Sequence, residues 1–79
     1  MTTPYIISLA PTAQRQIREL ALKNRKIIMK LIEALAINPR PPGVKKIDGM
    51  TGLYCDEING LRLIYKIEEH AILILLVKS

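Results

Sequence analysis

The stretch LYCDEINGLRLIYKI, Leu53 to Ile67, decides how this chain is read. Asn59-Gly60 sits between two runs that mix apolar and polar residues. A two-residue turn of that composition closes a β-hairpin, because both turn positions need positive φ. The register then follows without further choice: Ile58 opposite Leu61, Glu57 opposite Arg62, Asp56 opposite Leu63, Cys55 opposite Ile64, Tyr54 opposite Tyr65 and Leu53 opposite Lys66. Alternation along the second strand puts Leu61, Leu63, Tyr65 and Ile67 on one face, expected to be the core face. Arg62, Ile64, Lys66 and Glu68 fall on the other.

Working outward, Glu68-Glu69-His70 makes a second turn into AILILLVK. That run does not alternate, which fits a strand with a neighbour on each side and little exposure. Upstream, Val44 to Ile47 is expected to be a short edge strand ended by Asp48-Gly49. Before it, Pro39, Pro41 and Pro42 within Asn38 to Gly43 leave no helical backbone, so a helix must stop there. Ala13, Ile17, Leu20 and Ala21 share one helical face, and Ile27, Ile28, Leu31, Ala34 and Leu35 form a second apolar set. A helix hairpin with its break near Asn24 follows, since one 27-residue rod would need more partner surface than the chain offers. Tyr5 to Leu9 is β-branched-rich and bounded by prolines, hence a strand; Pro11 suits a helix's first turn. The expected fold is α+β: one domain, 1–79, with a two-layer, antiparallel-rich sheet of four to five strands and a two-helix hairpin on one face, in the order β-α-α-β-β-β-β.

Seventy-nine residues suffice for one small domain. Such a chain buries only about 60% of its unfolded surface, so a partner would add materially to its stability. Apolar residues make up 49% of it, with no Phe or Trp, so the core is aliphatic. A single cysteine permits no internal disulfide, and no metal or cofactor motif is present. The opening MTTPYIISLAP lacks the pattern of a signal peptide, and Ala71 to Val77 is too short to span a bilayer, so a soluble cytoplasmic protein without a membrane partner is expected. Twelve Lys and Arg against seven acids give a net charge of +5. That field suits a phosphate backbone or an acidic partner.

One arrangement has chemical promise: Lys45 and Lys46 at a sheet edge beside a face carrying Arg62 and Lys66. These cations suit RNA phosphates, and an arginine there can stabilise charge developing on a phosphodiester. Glu57 opposite Arg62 is placed to act as a base toward a ribose 2′-hydroxyl, giving a catalytic pair, Arg62 and Glu57, that needs no metal. On spacing alone, an ordinary cross-strand ion pair worth a few tenths to about 1 kcal/mol explains the same two residues and is the favoured reading. His70 reads as a turn residue and Cys55 as a packing residue.

The segments NPRPPGVKKIDGM and LYCDEINGLRLIYKI, together with the front end Ile7 to Ala13, resemble the RelE/ParE superfamily of bacterial toxins. The resemblance runs along nearly the whole chain. It implies a sheet-and-helices fold with the last strand lying centrally. It also implies a toxin of a type II toxin–antitoxin system, neutralised by a cognate antitoxin protein, with operator DNA bound indirectly through that antitoxin. RelE-type members are endoribonucleases that cleave mRNA on the ribosome and inhibit translation. Arg62 matches the family's catalytic arginine, and Lys46 matches a lysine of its basic segment. Leu61 stands where the family has a tyrosine, Cys55 and Glu57 stand where RelE-type toxins place lysines, and the closing segment has no counterpart, which implies a member shortened at its C-terminus. Two outcomes follow from these departures: a ribonuclease running weakened chemistry on Arg62 and Glu57, or a non-catalytic binding protein, either a ParE-like gyrase inhibitor or a toxin that only binds its antitoxin.

Overall fold

The computed structural model describes residues 4–47, 49 and 52–78. The expected Asp48 half of the Asp48-Gly49 strand stop lies outside them. Seven elements follow in order: β1 Ile6–Leu9, α1 Pro11–Glu19, α2 Leu22–Ile37, β2 Lys45–Lys46, β3 Leu53–Ile58, β4 Leu61–Glu68 and β5 Ala71–Lys78. The strands form one sheet ordered β1-β5-β4-β3-β2. β1 runs parallel to β5 and every other neighbour pair is antiparallel. β5 is interior, flanked by β1 and β4, as its unbroken apolar run requires; the middle position itself falls to β4.

The β3–β4 hairpin has the expected register at every pair from Leu53↔Lys66 to Ile58↔Leu61. Asn59 (φ 50) and Gly60 (φ 78) both adopt the positive φ that the two-residue turn demands. Leu61, Leu63 and Tyr65 are consequently buried, joined by Ile72, Ile74 and Val77 of β5. A register shift at Ile64/Tyr65 lets Tyr65 pair with Ile74 and Ile64 with Leu76, leaving Leu75 as the extra residue. This bulge rephases β5: Ile72 and Ile74 point inward before it, Val77 after it. β5 also outruns β1, whose last pair is Leu9↔Ile74. The Val77 amide beyond that end donates instead to Gln16 Oε1 of α1 at 2.7 Å, so a backbone group that would otherwise be orphaned is satisfied.

Ala13 and Ile17 of α1 and Ile28, Ile32 and Leu35 of α2 complete the core from one side of the sheet. The α2 stripe therefore differs from the expected set. Ile32, at i+4 from Ile28, is buried, Ile27 and Leu31 pack at its margin, and Ala34 is exposed. The helix break differs too, lying at Leu20 and Ala21 rather than at Asn24. Both residues are extended (ψ 148 and 150), which turns Leu20 toward the core and leaves Ala21 exposed. Arg25 makes this possible: its Nη2 donates to the carbonyls of Arg18 (2.9 Å) and Leu20 (3.3 Å), groups that the end of α1 leaves without helical partners.

α2 stops at Ile37, where the proline segment begins. That segment is held down at Pro39 by the buried Tyr65 hydroxyl, which donates to the Pro39 carbonyl at 2.8 Å. Burial pushes the Tyr65 phenol well above its ordinary value of 10. The unfolded chain loses this proton above about pH 10 while the folded chain keeps it, so the Tyr65 contribution to stability is complete below that pH and falls as pH rises further. Tyr65→Phe leaves the Pro39 carbonyl unpaired and should cost about 1–3 kcal/mol near neutral pH. Urea titrations should also show a shallower loss of stability above pH 10 than in the parent. Gly52 offers a second check. It sits at φ +78, and a Cβ there would meet the Ile67 carbonyl at 3.0 Å. Gly52→Ala should therefore cost about 1–3 kcal/mol, or several degrees in Tm for a domain of this size.

Candidate functional site

A strand's side chains alternate between faces, so the pairing partners assign the site residues directly. With Leu61, Leu63 and Tyr65 turned to the helices, Arg62, Ile64 and Lys66 of β4 stand on the opposite, uncovered face. Their partners on β3 are Glu57, Cys55 and Leu53. Lys45 of β2 pairs with Cys55 and so joins the same face, whereas Lys46 pairs with Tyr54 and belongs to the other. Lys78 of β5, opposite Arg62, also stands on the uncovered face. Of the five expected site residues the sheet thus gathers Arg62, Glu57, Lys45 and Lys66 and separates Lys46 from them, because adjacent residues of an extended strand cannot share a face. Lys78 was absent from the expected set; the unalternating AILILLVK gave no sign of which side it would take.

Arg62 Nη2 lies 3.3 Å from Glu57 Oε1. The two side chains are 54% and 57% exposed, so water screens the pair and it contributes about 0–1 kcal/mol. It is a contact that an incoming anion can displace. Lys66 Nζ is 3.8 Å from Glu68 Oε1, its neighbour two places along the same strand. Cys55 is half-buried between Lys45 and Ile64, and burial raises its thiol pKa, with Arg62 and Lys45 pulling the other way. A shallow cleft of about 110 Å³ opens beside it, lined by Gly43, Lys45, Cys55 and Glu57. His70 is exposed in the β4–β5 turn, its ring 6.2 Å from that of Tyr5.

On the helix side of the same edge the structure assembles a second group. Tyr54 stacks on Tyr65 with ring centroids 6.0 Å apart. Arg40 lies over the outer side of Tyr54, its guanidinium carbon 5.5 Å from the ring centroid and its Nε donating to the phenol oxygen at 3.2 Å. No sequence pattern flags Arg40, since fourteen positions and a change of element separate it from Tyr54. Among the described residues, no group of three or more His, Cys, Asp or Glu side chains is placed to hold a metal ion, and no helix is long and apolar enough to cross a membrane.

An arginine and a carboxylate side by side on an open sheet, flanked by lysines, can bind a phosphodiester. They can stabilise its added negative charge and take a proton from a neighbouring hydroxyl. No protein-family model matches the chain, and no curated protein matches its sequence. Solved structures do match in three dimensions. The isolated RelE toxin of E. coli superposes with a TM-score of 0.84 at 22% identity, covering 95% of this chain and 83% of the toxin. A toxin–antitoxin complex of Mycobacterium tuberculosis gives 0.84 at 22% identity, over 96% and 98% of the two chains. The YoeB dimer of Staphylococcus aureus gives 0.77 at 23% identity, over 96% and 97%. The order β-α-α-β-β-β-β, the five-stranded mixed sheet and these superpositions agree: the chain has the RelE toxin fold.

Proposed function

We propose that this protein is the toxin of a type II toxin–antitoxin pair, acting on RNA through the uncovered face of its sheet. The observation that carries this reading is Arg62 beside Glu57 on that face, in a fold that E. coli RelE shares. Similar chains solved from E. coli, Mycobacterium tuberculosis and Pyrococcus horikoshii are partnered by RelB antitoxins or form part of toxin–antitoxin complexes, which supports a small antitoxin as the binding partner here. In this mechanism the RNA phosphate displaces Glu57 from Arg62. Glu57 removes the proton of the ribose 2′-hydroxyl, the 2′-oxygen attacks phosphorus, and the bond to the 5′-oxygen breaks. Arg62, with Lys78 opposite it on β5, offsets the charge on the phosphoryl oxygens, and Lys45 and Lys66, further off on the same face, hold neighbouring backbone. The departing 5′-oxygen takes its proton from water, since no positioned acid serves it: among the described residues the one other carboxyl group on this face, Glu68, is turned to Lys66. That omission should cost about 10²- to 10⁴-fold in rate against a site with a positioned acid. mRNA held on the ribosome is the proposed substrate and the cytoplasm the proposed location. A second reading draws on the Arg62–Glu57 pair itself and on the lack of any lysine in β3: a protein of the same fold whose remaining task is antitoxin binding.

Induced expression in a bacterial host without antitoxin tests both. Growth arrest accompanied by new 5′ ends in ribosome-bound mRNA is expected, and Arg62→Ala should abolish both effects while its unfolding free energy from urea titration stays within about 1 kcal/mol of the parent. Glu57→Gln should leave RNA binding intact and slow cleavage by about 10²-fold or more. Normal growth and intact messages from soluble, folded protein would remove the nuclease reading and leave the antitoxin-binding one.

A further inference from the structure

The Arg40 group has no role in the chemistry just described, and its construction is unusual for an exposed surface arginine. Three separate bonds position it. The Arg40 amide donates to Asn38 Oδ1 at 3.2 Å, the preceding carbonyl, that of Pro39, accepts from Tyr65, and its Nε donates to Tyr54. Tyr54 is itself backed by Tyr65, so the anchors form a closed circuit through two rings and one loop. Among the described residues the Nε–Tyr54 bond is the guanidinium's one well-formed hydrogen bond, the Tyr5 phenol lies close by, and no carboxylate pairs with Arg40. Contact with Tyr54 raises its pKa further, so the group is cationic at any working pH. Lys46 stands on the same face, directly opposite Tyr54.

A long arginine side chain ordinarily loses considerable rotamer freedom when it binds an anion. Here that loss has largely been met in the folded state, in an exposed residue whose planar fork has the geometry that phosphates take in bidentate fashion. β2, the strand beneath, is a two-residue edge with Lys45 on one face and Lys46 on the other. Tyr54 is three residues along β3 from Glu57, about 10 Å by strand rise. Reaching Arg40 from Arg62 also means passing β3 and β2, about 10 Å more by strand spacing, and then turning over the edge, a path longer than an oligomer of about four nucleotides follows.

We propose that Arg40 and Lys46 form a second phosphate-binding site, which receives the RNA backbone after it crosses the β2 edge from the Arg62 face. This rests on the RNA-directed reading given above. Cations on both sides of a narrow edge suit a polyanionic backbone that passes over it. Arg40 is the binding group, and Tyr54 and Tyr65 are positioning residues that act through it.

The test is fluorescence anisotropy with 2′-O-methyl oligouridylates, which cannot be cleaved, of about four and about twelve nucleotides, the range of small single-strand sites, over a series of KCl concentrations. Arg40→Ala should leave the short oligomer's affinity unchanged, weaken the long one about tenfold, and reduce the long oligomer's salt slope by about 0.7, the value of one single-strand phosphate contact. Arg40→Lys should keep that slope while losing part of the affinity, and Tyr54→Phe, which keeps the ring but removes the acceptor, should fall between parent and Arg40→Ala. Arg62→Ala should weaken both oligomers. Long-oligomer binding weakened by Arg62→Ala but untouched by Arg40→Ala overturns the second site and leaves the reading of Arg62 standing. The reverse pattern supports the second site and removes Arg62 from RNA binding. Absence of RNA binding by the parent chain overturns both. Arg40-dependent binding of poly-L-glutamate at least as tight as that of the long oligomer assigns the group to an acidic protein and overturns the proposal.

Discussion

Asn59 and Gly60 close the β3–β4 hairpin in two residues, both at positive φ, and the placement of Arg62 opposite Glu57 descends from that closure. Because strand side chains alternate, a slip of one residue would exchange the two faces entirely. Leu61, Leu63 and Tyr65 would meet water, and Arg62 would be driven unpaired toward the aliphatic core, at a cost of several kcal/mol. The register seen is the one that buries three large side chains and exposes the arginine. Core formation and display of the candidate site are one event here, so no separate device is needed to hold Arg62 outward.

Two tyrosines extend this order beyond the sheet. Tyr65 belongs to the core by its ring and to the proline segment by its hydroxyl, while Tyr54, stacked on it, reaches the next residue of that segment, Arg40. A loop with three prolines is already restricted in φ, so little entropy remains to be lost when these bonds form. The polar link is strong where Tyr65 is buried and weaker where Tyr54 meets the exposed Arg40, which makes the loop firm at its root and solvated at its tip. The same segment stops α2, supports β2 and presents Arg40.

The charge surplus of the chain is distributed with the same economy. The uncovered face carries Arg62, Lys66, Lys78 and Lys45 against Glu57 and Glu68, and the helix side of the edge adds Lys46 and Arg40. The acids lie within reach of particular cations, as in Arg62–Glu57 and Lys66–Glu68, where exposure keeps the pairs weak and exchangeable. A site of this kind trades strength for access: an incoming anion need only outcompete a screened carboxylate to reach Arg62.

Much was legible in the sequence because it was local. Asn59-Gly60 determined the hairpin and its register, three prolines determined the end of α2, and the unbroken apolar run of β5 determined an interior strand. Each acts through the backbone dihedrals or side-chain period of neighbouring residues. The same register placed Arg62 opposite Glu57. What only the tertiary structure decided depends on partners distant along the chain. The helix break moved to Leu20 and Ala21 because Arg25 satisfies the carbonyls there, and the bulge at Leu75 rephased β5 against β4. Lys45 and Lys46 were divided between faces once β2 paired with β3, and Arg40 acquired its place from a ring fourteen residues away. No local propensity encodes these, since each is settled by which buried groups and backbone polar atoms find a partner when the layers close.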